Sequence, residues 1–276
     1  MSVSDAVPDE VSDAVEAAVE VVADAAEDVA AHPVVQHGAR LGHLVSGVLH
    51  LIMGMLAVRL ASGDHTASPD QSGALATVAG TPLGWALLGL CVLGFALLGL
   101  WQVVQVARRR PIGSRGKAAA KAVLYLALAA GAVGFMRGTP ASSAAQTRDI
   151  TALLMSWPLG AALVGVAGLV VIGVGVFHVV KGVQRRFVAD LVERPGRLVG
   201  VLAIVGYVAK GLALLVVGGL FLRAAWTHDP SGPTGLDGAL AVLLGAPFGP
   251  ALVAGIGLGF AAYGLYSFAR ARFART

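Results

Sequence analysis

Three prolines set the frame of this 276-residue chain. Pro82, Pro158 and Pro247 each precede a large apolar residue (Leu83, Leu159, Phe248) and then a glycine (Gly84, Gly160, Gly249). Counted from each proline, a glycine returns at +17 (Gly99, Gly175, Gly264), an aromatic at +19 (Trp101, Phe177, Tyr266) and an arginine at +28 (Arg110, Arg186, Arg275). Residue classes held at fixed offsets in three copies mark an internal repeat, which restricts the fold more than any single motif. The block from Arg115 to Asp190 reads as two apolar helices joined by a polar loop ending in Trp157-Pro158-Leu159-Gly160. The chain therefore divides into an acidic tail (1–36) and three helical hairpins (37–114, 115–194 and 195–276).

What the hairpins are made of decides their solvent. Hydrophobic residues make up 57% of the chain and charged ones 13%, with a mean hydropathy of +0.78, whereas soluble domains carry roughly 25% charged residues. Six apolar runs stand out, at about 39–61, 83–106, 118–137, 158–181, 198–222 and 249–269. Each makes a helix of about 30 Å, the thickness of the hydrocarbon layer. The expected fold is all-α: a bundle of six transmembrane helices. An even number of spans per repeat makes the three copies parallel, related by rotation about the membrane normal. Small residues such as Gly42, Gly94, Gly99, Gly168, Gly175 and Gly259 supply the close backbone approach that joins helices in lipid.

Charge orients the bundle. The segments after the second, fourth and sixth spans carry Arg108, Arg109, Arg110, Arg115, Lys117, Arg185, Arg186, Arg194, Arg197, Arg270, Arg272 and Arg275. The other three loops hold Arg59, Arg137, Arg148 and Arg223, diluted by Asp64, Asp70, Asp149, Asp229 and Asp237. The positive-inside rule then puts both termini in the cytoplasm of a cell whose plasma membrane holds the protein. Arg108, Arg109, Arg110, Arg185, Arg186, Arg270, Arg272 and Arg275 are the expected anchors for anionic lipid headgroups. The net charge of +4 is thus a topology signal, and no nucleic-acid partner is expected.

The tail holds nine of the sixteen acidic residues. Val11, Val15, Val19, Val22, Ala26 and Val29 recur at three- and four-residue steps, the face of an amphipathic helix, although one this short is marginal in water. Its expected partner is a basic surface on this chain or on another protein. No Lys or Arg occurs in the first 38 residues, so the positive region of a secretory leader is not found there. Between the spans of each hairpin, Gly73–Ala79, Thr151–Met155 and Gly238–Leu244 are apolar enough for short interfacial helices. The proline is expected to start the next span, where its missing N–H does no harm.

Ionisable residues at membrane depth are default site candidates. Aligned on Gly47, Ala122 and Gly211, the first spans place Ser46, Lys121 and Lys210 at one level. Lys210 lies midway between Arg197 and Arg223, and no Asp or Glu occurs in any span. Either the two lysines line an axial cavity, or their stems lie on apolar surface with the amines at the interface. His43 and His50 share one helix face, and His178 lies toward the basic end of the fourth span. Bis-histidine haem ligation is the redox alternative, but the repeat pairs His43 with Tyr207 and His50 with Tyr125, which are not ligand-like positions. Cys91, the single cysteine, sits mid-run as a small hydrophobe.

The entrance spacing of Arg40, His43, Gly47, His50 and Gly54, echoed by Tyr207, Gly211 and Gly218, together with the Pro-x-Gly loop and basic exit, resembles the bacterial membrane proteins called domain of unknown function 1206. The resemblance covers about residues 37–275 and implies three two-helix membrane domains without a known activity. The second copy departs from the pattern at Ala118 and Ala122. No catalytic motif, cofactor-binding loop or metal-ligand spacing is present, so an enzyme is not expected. The leading expectation is a non-enzymatic scaffold or partner subunit; the alternative is a small-solute or anion channel or transporter using Lys121 and Lys210, and the third reading is a haem-binding or redox subunit.

Overall fold

The computed structural model describes residues 33–107, 112–192 and 196–273. In chain order the elements are α1 (Pro33–Ala61), α2 (Gln71–Ala79), α3 (Gly84–Ala107), α4 (Ile112–Met136), α5 (Ser143–Met155), α6 (Gly160–Val183), a 3-10 turn (Arg186–Asp190), α7 (Arg197–Thr227), α8 (Gly235–Leu244) and α9 (Gly249–Phe273). Helices α1, α3, α4, α6, α7 and α9 are long and apolar enough to cross a bilayer. The protein is an all-α, multi-pass membrane protein. Residues 1–32 of the acidic tail, with Arg108, Arg109, Arg110, Arg194 and Arg275, lie outside the described residues. Arg115 and Lys117, expected in a loop, belong to the first turns of α4, which starts at Ile112.

The Pro-x-Gly motif is a turn, which corrects the expected role of its proline. Gly84 N–H donates to Thr81 O at 2.8 Å, Gly160 to Trp157 O at 2.9 Å and Gly249 to Ala246 O at 2.8 Å. Proline therefore occupies the second position of a four-residue turn, where its fixed φ is favourable, and the span begins two residues later. The glycine is needed for a close approach. A Cβ on Gly84 would come within 2.7 Å of Val78 O, and one on Gly249 within 2.6 Å of Leu243 O, the last carbonyls of the preceding short helix. The three short helices α2, α5 and α8 form a layer over one end of the bundle. Asp70 caps α2 by accepting from Gly73 N–H at 2.8 Å, and Ser143 N–H of the α5 start donates to Ser72 Oγ at 3.1 Å. Burial, then the Asp70 carboxylate, pushes the Asp237 carboxyl of α8 above its ordinary range.

The two spans of one repeat are not each other's closest partners. The most extensive packing joins α6 with α7, α9 with α1, and α3 with α4, so each repeat's second span grips the first span of the next repeat. Paired glycines seven residues apart make two of these crossings. Gly47 and Gly54 of α1 lie against Gly264 and Gly257 of α9, while Gly211 and Gly218 of α7 lie against Gly175 and Gly168 of α6. A Cβ on any of them would meet the partner's backbone at about 3 Å or less, closer than real Cβ contacts run, which is how small residues bring helices together in lipid. At the third crossing Ala122 and Ala129 stand in the glycine positions, and Gly99 faces Leu126. Packing of α1 on α3 and of α7 on α9 continues the ring. The ring stays open between α4 and α6, the two spans of the middle repeat, which do not pack along their lengths.

An apolar core containing Leu49, Met53, Phe95, Ala132, Val253 and Phe260, with Leu75 and Leu240 of the short helices, fills the bundle toward the short-helix end. A separate aromatic cluster of Phe187, Leu191, Tyr207, Tyr263 and Tyr266 occupies the basic end.

Candidate functional site

Lys210 takes its place from α7 packing against α9. Gly206, one turn earlier, lets the Tyr263 backbone approach so closely that a Cβ would lie 2.6 Å from Tyr263 Cα. That contact sets Lys210 Nζ 4.5 Å from the Tyr263 ring centroid, within cation–π range. From the same position Lys210 Nζ donates to His50 Nε2 of α1 at 3.2 Å. His50 Nδ1 lies 2.7 Å from Ser46 O; only an N–H there is attractive, so Nδ1 donates and Nε2 is the acceptor. Both ring nitrogens of His50 are thereby engaged. Lys210 does not reach for the membrane surface; it joins three spans inside the bundle.

Toward the basic end the polar group widens. Tyr263, Tyr266 and Arg270 fall at i, i+3 and i+7 of α9, one helix face, and meet Tyr207 of α7. The Tyr207 and Tyr263 rings stand T-shaped at 5.3 Å, and Tyr207 and Tyr266 tilt together at 5.7 Å. Arg270 faces all three tyrosines. This corrects its reading as a headgroup anchor: its Nε is buried, enclosed by the tyrosines that α7 and α9 bring together. Lys181, at the same repeat position in the second copy, likewise turns in, with Nζ 2.6 Å from Asp190 Oδ2 and 5.4 Å from the Tyr207 ring. Asp190 arrives there because Arg185, in the left-handed conformation at φ 54°, folds the chain into the 3-10 turn. Phe187 of that turn stacks on Tyr207 at 6.0 Å, and Val192 N–H donates to Phe273 O at 2.8 Å, fastening the turn across the end of α9.

The other candidates border this group. Lys121 of α4 is exposed, yet Arg270, Lys181, Asp190 and Tyr263 all lie within its electrostatic reach. His43 faces Arg270 and Lys121. His178 donates through Nδ1 to Val174 O at 2.8 Å, lies 5.8 Å from the Tyr207 ring and faces Lys210 and Lys181. Lys121, Lys181, Lys210 and Arg270, from four different spans, therefore converge on one region, and among the described residues Asp190 is the carboxylate that reaches it. Among the described residues, two donors at its centre lack a partner: the Tyr266 hydroxyl, which nears Tyr207 without hydrogen-bond geometry, and Arg270 Nε. Among the described residues no group of three His, Cys, Asp or Glu is arranged to hold a metal ion. The proposed anchors Arg185, Arg186 and Arg272 are exposed at the basic end.

Sequence reasoning placed Lys121 and Lys210 at one depth, His43 and His50 on one face and His178 toward the basic end, but missed Tyr263, Tyr266, Asp190 and the inward turn of Lys181 and Arg270. The signal was present: Val174-Phe177-Lys181 and Tyr263-Tyr266-Arg270 are the same repeat positions on one face.

Comparison with known proteins gives the chain its relatives. It is similar to the Uncharacterized protein YxxB of Bacillus subtilis (strain 168), 26% identical over 255 residues, covering 85% of this chain and 90% of that protein. No solved structure matches it. The Domain of Unknown Function (DUF1206) family matches three times in succession, at residues 41–109, 116–185 and 205–274. With most of its length matched, the chain belongs to the Domain of Unknown Function (DUF1206) family.

Proposed function

We propose that this protein is a non-enzymatic component of the plasma membrane that binds an anionic group among Lys121, Lys181, Lys210 and Arg270, with the basic end of the bundle in the cytoplasm. One observation carries the reading: among the described residues, four cations from four spans share one carboxylate, and the buried Arg270 Nε and Tyr266 hydroxyl beside them have no acceptor. Unpaired charge and orphaned donors in a low-dielectric interior are costly, and an anion with several oxygen acceptors answers both. Tyrosine rings around Arg270 and Lys210 stabilise the cations without neutralising them. The site fits a scaffold or partner subunit whose assembly depends on a bound anion. A passive channel is disfavoured, because the apolar core from Leu49 to Phe260 fills the other half of the bundle and a conducting pore needs a polar path. The exposed Arg185, Arg186 and Arg272 serve as contacts for anionic headgroups, and the acidic tail is a proposed ligand for the basic end.

Calorimetric titration of the purified full-length protein with inorganic phosphate tests this. Saturable binding is expected, weakened at least tenfold by Arg270→Gln, the loss of about one charge-assisted hydrogen bond. Absence of binding to the unaltered protein, or equal affinity in the folded variant, refutes the site.

A further inference from the structure

We infer that the open seam between α4 and α6 is a lateral berth for one anionic phospholipid, its phosphate held between Lys117 and Lys121 and an acyl chain laid along the seam. The inference rests on the anion-binding reading, because Lys121 belongs to both.

The seam is the one break in the ring of spans. Adjacent spans pack at every other step, while α4 and α6 do not pack along their lengths and approach at the basic end, where Lys117 Nζ sits over the Phe177 ring at 5.7 Å. On α4 the positions 117, 121 and 124 follow i, i+4 and i+7, and on α6 the positions 170, 174, 177 and 181 continue in the same steps. Both stripes read alike with depth: cations near the basic end, then apolar residues toward the middle. Leu124 is 55% exposed, Val170 60% and Val174 41%, so no protein covers these walls. At that depth the neighbour is hydrocarbon, since water is excluded from the bilayer interior. An amphiphile with a negative head at the Lys117 level and a chain beyond it matches both walls. The alternative way in, at the basic end between α6, α7 and α9, is stoppered by Phe187 and Leu191, at 0% and 2% exposure. A second copy of the chain fits the seam poorly, because its own Lys117 and Lys121 repeat the same positive charge.

The test uses full-length protein in mild detergent, with native mass spectrometry counting bound dioleoylphosphatidylglycerol against dioleoylphosphatidylcholine, and calorimetry with inorganic phosphate alongside. One phosphatidylglycerol is expected to bind in preference to phosphatidylcholine. Lys117→Gln is expected to weaken it about fivefold, the value of one cation at an anionic surface. Val174→Trp, filling the seam at an exposed position, is expected to abolish it. Both variants should bind inorganic phosphate as the unaltered protein does. If phosphate binds but the lipid shows no preference, or both variants hold it as before, the berth is refuted and the inner site stands. If neither phosphate nor lipid binds, both fall. If mass spectrometry finds a dimer abolished by Val174→Trp in place of bound lipid, a second copy fills the seam and the berth is refuted.

Discussion

Lys210 shows how a single side chain acquires meaning from its partners. Its depth was legible in the sequence, because it stands midway along its span in a chain whose spans contain no carboxylate. Its partner was not, because alignment put Ser46 at its level, whereas His50, one turn deeper, offers the acceptor. A lysine side chain spans more than a helical turn, so register alone does not fix what it meets. The contact makes a sharp prediction. Lys210→Met leaves His50 Nε2 unpaired inside the bundle and should destabilise the protein by about 1–3 kcal/mol. Lys210→Met combined with His50→Leu should cost less than the two single changes together, by about 0.6–1.7 kcal/mol, the range of interhelical hydrogen bonds in membranes. Reversible unfolding in mixed micelles measures the cycle; strictly additive losses would mean that the two side chains do not interact.

Among helices, the repeat was legible in full and its assembly only in part. Fixed offsets from Pro82, Pro158 and Pro247 located the six spans and the three short helices, because turn chemistry and hydrophobic length are local properties. Which span grips which is not local. Spans that are apolar all round carry no amphipathic stripe to point at a partner, so adjacency suggested hairpins, while the closest crossings lie between repeats. Glycine spacing held the missing information: Gly47 with Gly54 and Gly257 with Gly264 each lie seven apart, two full turns on one face. The same geometry separates glycines that matter from those that do not. A Cβ on Gly257 would sit 2.8 Å from Gly54 O, whereas one on Gly255 meets nothing within 4 Å. Gly257→Val is therefore expected to lower stability by about 1–3 kcal/mol through overpacking, and Gly255→Val to leave it unchanged or slightly raised. Thermal unfolding of the two variants side by side checks this, and equal effects would remove the crossing from the account.

Across the molecule, the quasi-threefold plan is broken in the middle copy, and charge predicts how the whole sits in the membrane. The copy with Ala118 and Ala122 in place of an aromatic and a glycine is the one whose spans part, and the exposed cations Lys117 and Lys121 lie along that parting. Cations crowd one end of the bundle, and the inner cluster lies toward the same end. Moving positively charged loops out of a cell works against an inside-negative potential, at about 2.3 kcal/mol per charge for each 100 mV. The twelve basic residues after the even-numbered spans, against four in the other loops, are the ground for proposing that this end faces the cytoplasm, so that the anion would come from the cytoplasmic side or its leaflet. In a Cys91→Ala background, which removes the single, buried cysteine, a new thiol through Ser231→Cys should react with a membrane-impermeant maleimide on intact cells. One through Gly116→Cys, an exposed position where an added Cβ meets nothing within 4 Å, should react only after permeabilisation. The opposite labelling pattern would put Lys117, Lys181 and Arg270 at the outer surface and make the site one for extracellular anions.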